Sequence, residues 1–185
     1  MSSSEVPQFI KEIKTDTGYS LVDLYEQALK FFSKIPQDQY GNMLQVSRER
    51  AQRDYQAGKL DLIEGTTIFF LVLHLSYVVK DFESQIITLS NLGLMYQNAR
   101  AYDVAIAFAA EGIKVAYRQN LLELKLKPLN VLSLVYTNTM ESEKQTEVME
   151  EVAEIYGELG QIDKKAEIDG LIKQKKEFMK LLGKS

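Results

Sequence analysis

The stretch "NLGLMYQNARAYDVAIAFAAEGIKVAY", residues 91–117, combines seven alanines and two glycines with regularly spaced aromatic side chains. The small residues that recur at helical spacing are Gly93, Ala105, Ala109 and Gly112. Small side chains on facing surfaces allow two antiparallel helices to approach closely, and the neighbouring Tyr96 and Tyr102 would fill the space beside those contacts. The stretch therefore predicts a tightly packed helix hairpin.

The rest of the chain shows the same helical periodicity. In "LVDLYEQALKFFSKI", residues 21–35, apolar side chains recur at spacings of three and four, and Ser20 precedes them as a predicted N-cap. Patterns with a period of two are scarce, so the sequence predicts an all-α fold of antiparallel neighbours joined by short turns. The predicted helices cover residues 20–35, 38–56, 60–80, 82–98, 102–119, 122–138, 143–158 and 162–182.

Composition narrows the class of protein. The chain has 185 residues, a net charge of −4, no cysteine and one histidine, so it predicts no nucleic-acid partner and no thiolate or multi-histidine metal site. The apolar run at residues 68–79 is shorter than the roughly 20 residues that span a bilayer, which predicts a buried core helix without membrane insertion. The N-terminus lacks a signal-peptide pattern, and together these features predict a soluble, cytoplasmic protein.

The spacing of Leu92-Gly93, Tyr96, Tyr102 and Ala105 matches L-G-x-x-Y followed by Y-x-x-A, and here the chain resembles the tetratricopeptide repeat (TPR) family. Weaker copies surround it, and Gly93 and Ser133 are 40 residues apart rather than the roughly 34 of that family. The resemblance implies helix hairpins stacked as a right-handed superhelix. Another α-solenoid or an irregular helical bundle is the alternative.

The predicted organisation has two parts. Residues 1–17 form an N-terminal arm or short helix, and residues 18–185 form one TPR-like domain. The segment "KQKKEFMKLLGK", residues 173–184, is basic with interleaved apolar side chains. It predicts a C-terminal capping helix whose inner face carries Phe178, Leu181 and Leu182.

In TPR proteins the first helix of each pair lines a groove that binds a peptide or helix of a partner. The predicted partner-binding residues are Asn91, Leu94, Gln97, Asn98, Asn130, Leu134 and Asn138. Ser90 and Val131 are predicted to face the same groove. Amide side chains both donate and accept hydrogen bonds, so this set suits recognition of a peptide main chain, with Leu94 and Leu134 as an apolar floor.

Catalytic patterns are missing from the sequence. His74 lies among apolar residues, which predicts a core histidine with satisfied ring nitrogens. Paired carboxylates such as Glu150-Glu151 lie on predicted helix surfaces beside lysines, and no glycine-rich phosphate loop is present. The sequence predicts no enzyme, no cofactor and no metal.

The sequence thus predicts a non-enzymatic scaffold for protein–protein interaction, similar to an adaptor or chaperone. Two alternatives stay open: a peptide-sensing TPR regulator, and a structural subunit of a larger helical assembly, for which a homodimer is one arrangement. Neither the partner nor the pathway can be read from the residues.

Overall fold

The computed structural model describes residues 5–16, 18–181 and 183. These residues form helices and no strands, which confirms the all-α class. The helices are α1 Gln8–Glu12, α2 Leu21–Phe32, α3 Tyr40–Gln56, α4 Leu62–Val79, α5 Phe82–Asn98, α6 Tyr102–Arg118, α7 Leu122–Asn138, α8 Ser142–Glu158 and α9 Ile162–Leu181, with a short 3₁₀ helix over Gln37–Gln39. The eight predicted helices correspond to α2 to α9, with described ends that differ by at most three residues.

Side-chain caps set several helix starts. The predicted N-cap at Ser20 is confirmed, because its Oγ accepts a hydrogen bond from the Asp23 backbone N–H at 3.3 Å. Asp61 caps α4 by accepting from the backbone N–H groups of Ile63 and Glu64, both at 2.8 Å. A carboxylate at a helix N-terminus satisfies free N–H groups and opposes the positive end of the helix dipole.

Five helices end at residues placed at intervals of 20 along the chain. These residues have left-handed φ angles of 59°, 60°, 53°, 58° and 70° and are Lys80, Arg100, Asn120, Met140 and Gly160. After each, the next backbone N–H donates to a carbonyl five residues earlier, as from Asp81 to Ser76 at 2.9 Å. This is the Schellman pattern, which satisfies carbonyls at a helix C-terminus.

This regular interval explains the spacing seen in the sequence. α5 begins at Phe82 and α7 begins at Leu122, so equivalent positions of these helices are 40 residues apart. Gly93 and Ser133 therefore occupy the same position in α5 and α7. Each helix of the chain from α5 to α8 has 17 residues, longer than the helices of a hairpin that repeats every 34 residues.

The chain divides into two compact units, Met1–Val131 and Leu132–Ser185, and the boundary falls inside α7. At the centre of the first unit lies α4, which packs against α2, α3 and α5. Its apolar side chains Phe69, Phe70 and Leu73 are at most 1% exposed. The predicted core helix over residues 68–79 is thereby confirmed. Among the described residues, α4 is also the helix whose length and composition would suit a membrane span, and half of that window is buried inside the protein.

The hairpin of α5 and α6 has the most extensive helix–helix contact of the first unit. A Cβ atom at Gly93 would lie 3.3 Å from the carbonyl oxygen of Ala105, and Ala105 and Ala109 are fully buried. Tyr96 is also fully buried, whereas Tyr102 is half-buried. The small residues of the 91–117 stretch are therefore helix-contact positions, as predicted.

The second unit contains the end of α7 together with α8 and α9, and the last two helices pack against each other. Ile172 of α9 is buried, while Phe178 and Leu181 are 60% and 85% exposed. The predicted inner face of the terminal helix is thus wrong for these two residues, because α9 buries the side that carries Ile172. Leu182 lies outside the described residues. The single domain over residues 18–185 stays a prediction.

Candidate functional site

One of the predicted binding residues of α5, Asn98, contacts the neighbouring helix α3. Asn91, Leu94 and Gln97 are half-buried, and Asn98 is exposed at the end of the helix. The Nδ2 of Asn98 donates a hydrogen bond to the Tyr55 hydroxyl of α3 at 2.9 Å. Burial raises the pKa of Tyr55, and the Asn98 hydrogen bond acts in the opposite direction. The tyrosine is therefore a neutral phenol at physiological pH, held in place by the amide.

A second polar contact joins the same two helices. Arg48 of α3 donates from Nη1 to the Ser84 Oγ of α5 at 2.7 Å, and Ser84 in turn donates to the carboxylate of Asp81 at 2.7 Å. Ser84 is fully buried, so this connection lies beneath the surface. The two contacts fix α3 and α5 side by side, running in the same direction. We call the exposed surface beside these two contacts, which includes Asn98 and Tyr55, the α3–α5 surface.

Two residues predicted to face a groove are buried instead. Ser90 is 4% exposed, and its hydroxyl donates to the Ile86 carbonyl at 2.8 Å. Val131 is fully buried, and its Cγ1 lies 2.9 Å from where a Cβ of Gly93 would be. The prediction was wrong for Ser90 and Val131 because both occupy the packed side of their helices. Asn130, the neighbour of Val131, is exposed in the first unit.

The remaining predicted residues belong to the second unit. Leu134 is 38% exposed, and Asn138 is exposed at the end of α7. Near them, Gln145 of α8 donates from Nε2 to the Thr137 hydroxyl at 2.7 Å. Leu134 and Asn138 are accessible to a partner within this unit.

A cavity of about 530 Å³ in the first unit was not predicted from the sequence. Its walls come from α1, α2, α4, α5 and α6, and much of its lining is aromatic. Phe9, Tyr25, Tyr77 and Phe82 are among the rings that line it. Pockets of roughly 300–1,000 Å³ with mainly apolar walls are typical of small-molecule sites.

Polar groups also reach this cavity, which is lined in part by His74, Gln85 and Glu111. The Tyr25 hydroxyl lies 3.0 Å from His74 Nδ1, and His74 is only 3% exposed. This bears out the prediction that His74 is a hydrogen-bonded core residue. The apolar neighbours of His74 in the sequence do not indicate that the same ring borders a cavity.

Two further polar side chains of the cavity, Gln85 and Glu111, have different kinds of partner. Gln85 is 3% exposed and donates from Nε2 to the Ser76 carbonyl at 3.1 Å. The Glu111 side chain is 15% exposed and lies 3.3 Å from the ammonium of Lys114, which is itself 59% exposed. Burial raises the pKa of the nearby Tyr77, and the negative charge of Glu111 raises it further. Tyr77 thus remains neutral at physiological pH, and Glu111 contributes the local negative charge.

Sequence reasoning missed this cavity because its residues come from five separate helices. Phe9, Tyr25, His74 and Glu111 are widely spaced along the chain and form no recognisable motif. Among the described residues, no group of three or more His, Asp or Glu side chains is placed to hold a metal ion.

Comparisons with protein-family models, with curated proteins and with solved structures find no match for this chain. A function for the chain therefore has to be inferred from the geometry of its helices and side chains.

Proposed function

We propose that this protein is a TPR-like scaffold that binds an extended peptide of a protein partner along the α3–α5 surface. The single observation that carries the proposal is the hydrogen bond from Asn98 to Tyr55, because it fixes an exposed amide between two neighbouring helices. An amide fixed in this way loses little side-chain entropy when a ligand binds. The proposal includes stacking of the hairpins as in the resembling family.

The spacing of the amides suits a main chain. Asn91 and Asn98 are seven residues apart on α5, which corresponds to about 10 Å along a helix axis. Three residues of extended peptide cover about 10 Å. In a polyproline II peptide, which repeats every three residues, peptide groups about 9 Å apart point to the same side, so the two amides are spaced for an extended peptide in that conformation.

The chemistry between the amides is mixed. Leu94 and Gln97 are half-buried between Asn91 and Asn98, so a bound peptide would find an apolar contact flanked by donors and acceptors. Each amide can donate to a carbonyl and accept from an N–H group at the same time. This arrangement favours recognition of backbone over recognition of a single charged group.

The test starts with a displayed library of random extended peptides, selected against the full chain. We expect the double variant Asn91→Ala with Asn98→Ala to weaken binding of the selected peptides at least tenfold. Each hydrogen bond to a peptide is worth about 0.5–1.5 kcal/mol, and about 1.4 kcal/mol corresponds to tenfold. Calorimetry or fluorescence anisotropy measures the affinities.

Gln27→Ala is the matched control, because Gln27 is an exposed amide on α2, away from the α3–α5 surface. It should change affinity less than twofold. A library that yields no binder, or binders that ignore the double variant, would contradict the proposal. If size-exclusion chromatography shows a dimer whose formation Asn91→Ala and Asn98→Ala abolish, the surface binds a second copy instead.

A further inference from the structure

We propose that the 530 Å³ cavity of the first unit binds a small organic molecule that carries a protonated amine on an apolar, aromatic body. This site is separate from the α3–α5 surface, because no residue of α3 lines it. The proposal rests on the size of the cavity, its ring-lined walls and the kind of polar atoms that remain available inside it.

The walls select for an apolar body. Phe9, Tyr25 and Phe82 line the space together with Val78 and Val115. Tyr25 is fully buried and Val115 is 7% exposed, whereas Phe9, Val78 and Phe82 are half-buried. Transfer of an aromatic ring from water to such walls is favourable in proportion to the apolar area that is covered.

One polar atom in the lining of the cavity is an acceptor, the amide oxygen of Gln85. The amide nitrogen of Gln85 is already bonded to the Ser76 carbonyl, and its oxygen accepts no hydrogen bond from the described residues. A ligand N–H group inside the cavity can donate a hydrogen bond to this amide oxygen. Gln85 therefore favours a donor in the ligand.

Glu111 favours a positive charge on the ligand. A carboxylate can only accept, and its partner Lys114 is largely exposed, so the ion pair between them is weak. Lys114 binds Oε2 of Glu111, and no described residue donates a hydrogen bond to Oε1, so Oε1 is the oxygen that a ligand would meet. An ammonium group near Glu111 would gain a charge-assisted hydrogen bond, whereas a carboxylate there would be repelled.

The aromatic rings of the cavity also favour a positively charged group on the ligand. A cation is attracted to the face of an aromatic ring when it lies within about 6 Å of the centroid. Lys80 and Arg118 also line the cavity, and both are exposed. They suit an anionic group at the outer end of the ligand, as in an amino acid, but solvent screens them more than it screens Glu111.

The proposal is tested by isothermal titration calorimetry with four aromatic probes on the full chain. 2-Phenylethylamine has the amine alone, 3-phenylpropionate has the carboxylate alone, and L-phenylalanine and the dipeptide Phe-Gly have both. We expect the three amines to bind at least tenfold more tightly than 3-phenylpropionate. L-Phenylalanine and Phe-Gly distinguish a free amino acid from a peptide N-terminus as the source of the amine.

Glu111→Gln keeps the shape of the side chain and removes its charge. It should weaken the binding of 2-phenylethylamine at least tenfold. Glu123→Gln, at an exposed position of α7, is the matched control and should leave the affinity within twofold. Equal binding of the amine and the carboxylate, or an unchanged affinity in Glu111→Gln, would overturn the proposal.

A second measurement does not depend on the variant folding. In ¹H–¹⁵N spectra of the unmodified protein, 2-phenylethylamine should shift the backbone amides of Gln85, Gly112 and Val115. Shifts confined to other helices, or none at 5 mM probe (a concentration on the order of the weakest affinity expected for a ligand of this size), would also overturn it. Because Asn91→Ala with Asn98→Ala leaves this cavity intact, failure here and failure of the peptide-binding proposal are distinguishable.

Discussion

The hydroxyl oxygen of Tyr25 lies 3.0 Å from Nδ1 of His74, and it joins α2 to α4 inside the first unit. Tyr25 is fully buried and His74 is 3% exposed. The two rings also meet edge to face, with centroids 5.8 Å apart. This pair connects the N-terminal part of the chain to its central helix, so removing the contact should lower the stability of the whole unit.

Tyr25→Phe should lower the free energy of unfolding by about 1–3 kcal/mol, because it removes the hydrogen bond and leaves a buried ring nitrogen without that partner. Chemical denaturation followed by circular dichroism measures the change. Tyr117→Phe, at a side chain that is 78% exposed, is the control and should change stability by less than about 0.5 kcal/mol. Equal stability of the two variants would show that the Tyr25–His74 bond contributes nothing.

Alkaline pH should destabilise the protein through its buried tyrosines. Burial raises the pKa of Tyr25, Tyr77 and Tyr96 above the ordinary value of about 10. In the unfolded chain these phenols ionise near pH 10, so their contribution to stability is complete below that pH and falls as the pH rises towards the folded pKa. Each such tyrosine can cost up to about 1.4 kcal/mol per pH unit above 10.

Urea unfolding at pH 8, 10 and 11 measures this slope. Tyr96→Phe should make the slope shallower, because one raised pKa is removed, while Tyr117→Phe serves as the matched control and keeps the slope of the unmodified protein. If Tyr96→Phe leaves the slope unchanged, the loss of stability at high pH has another origin.

The helices were predictable because local signals set them. Ser20 caps α2 as its residue type and position predict, and the 91–117 stretch forms the closely packed hairpin that its small residues indicate. The left-handed residues that follow α4, α5 and α7 are Lys80, Arg100 and Met140. None of them is a glycine, so the residue type did not predict these helix ends. The next helix begins two residues after each of them.

The candidate sites were less predictable, for a physical reason. Helical periodicity places Asn91 and Asn98 on one face, but it does not show which side of a helix is covered by a neighbour. Ser90 and Val131 are predicted at the surface and are both buried, and Val131 packs against α5 beside Gly93. The cavity depends on how distant helices meet, which no local pattern encodes.

Gly93→Ala should destabilise the first unit by about 1–3 kcal/mol, the usual cost of overpacking. The added Cβ would lie 2.9 Å from Val131 Cγ1 and 3.3 Å from the backbone carbonyl of Ala105, and a backbone atom yields little. Thermal and urea unfolding measure the effect. Gly41→Ala is the control, because a Cβ there meets nothing within 4 Å, and helix propensity should make it stabilising by up to about 1 kcal/mol.

A second variant separates overpacking from backbone effects at this position. Val131→Ala in the Gly93→Ala background should cost less than the sum of the two single changes, since it removes the methyl group that the new Cβ meets. Strict additivity would place the strain at the Ala105 carbonyl alone.

Thr88 offers the opposite case, a position where a change should stabilise. Its side chain is 1% exposed, and its Oγ1 has no hydrogen-bond partner among the described residues. Thr88→Val replaces an unsatisfied buried hydroxyl with a methyl group of similar size, so we expect a gain of about 1 kcal/mol. The same change at Thr66 should instead cost about 1–3 kcal/mol, because that Oγ1 donates to the Leu62 carbonyl at 2.6 Å and lies 3.0 Å from the Tyr96 hydroxyl. Urea unfolding of both variants gives the comparison, and a loss of stability in Thr88→Val would mean that its hydroxyl is satisfied in solution, most simply by a bound water.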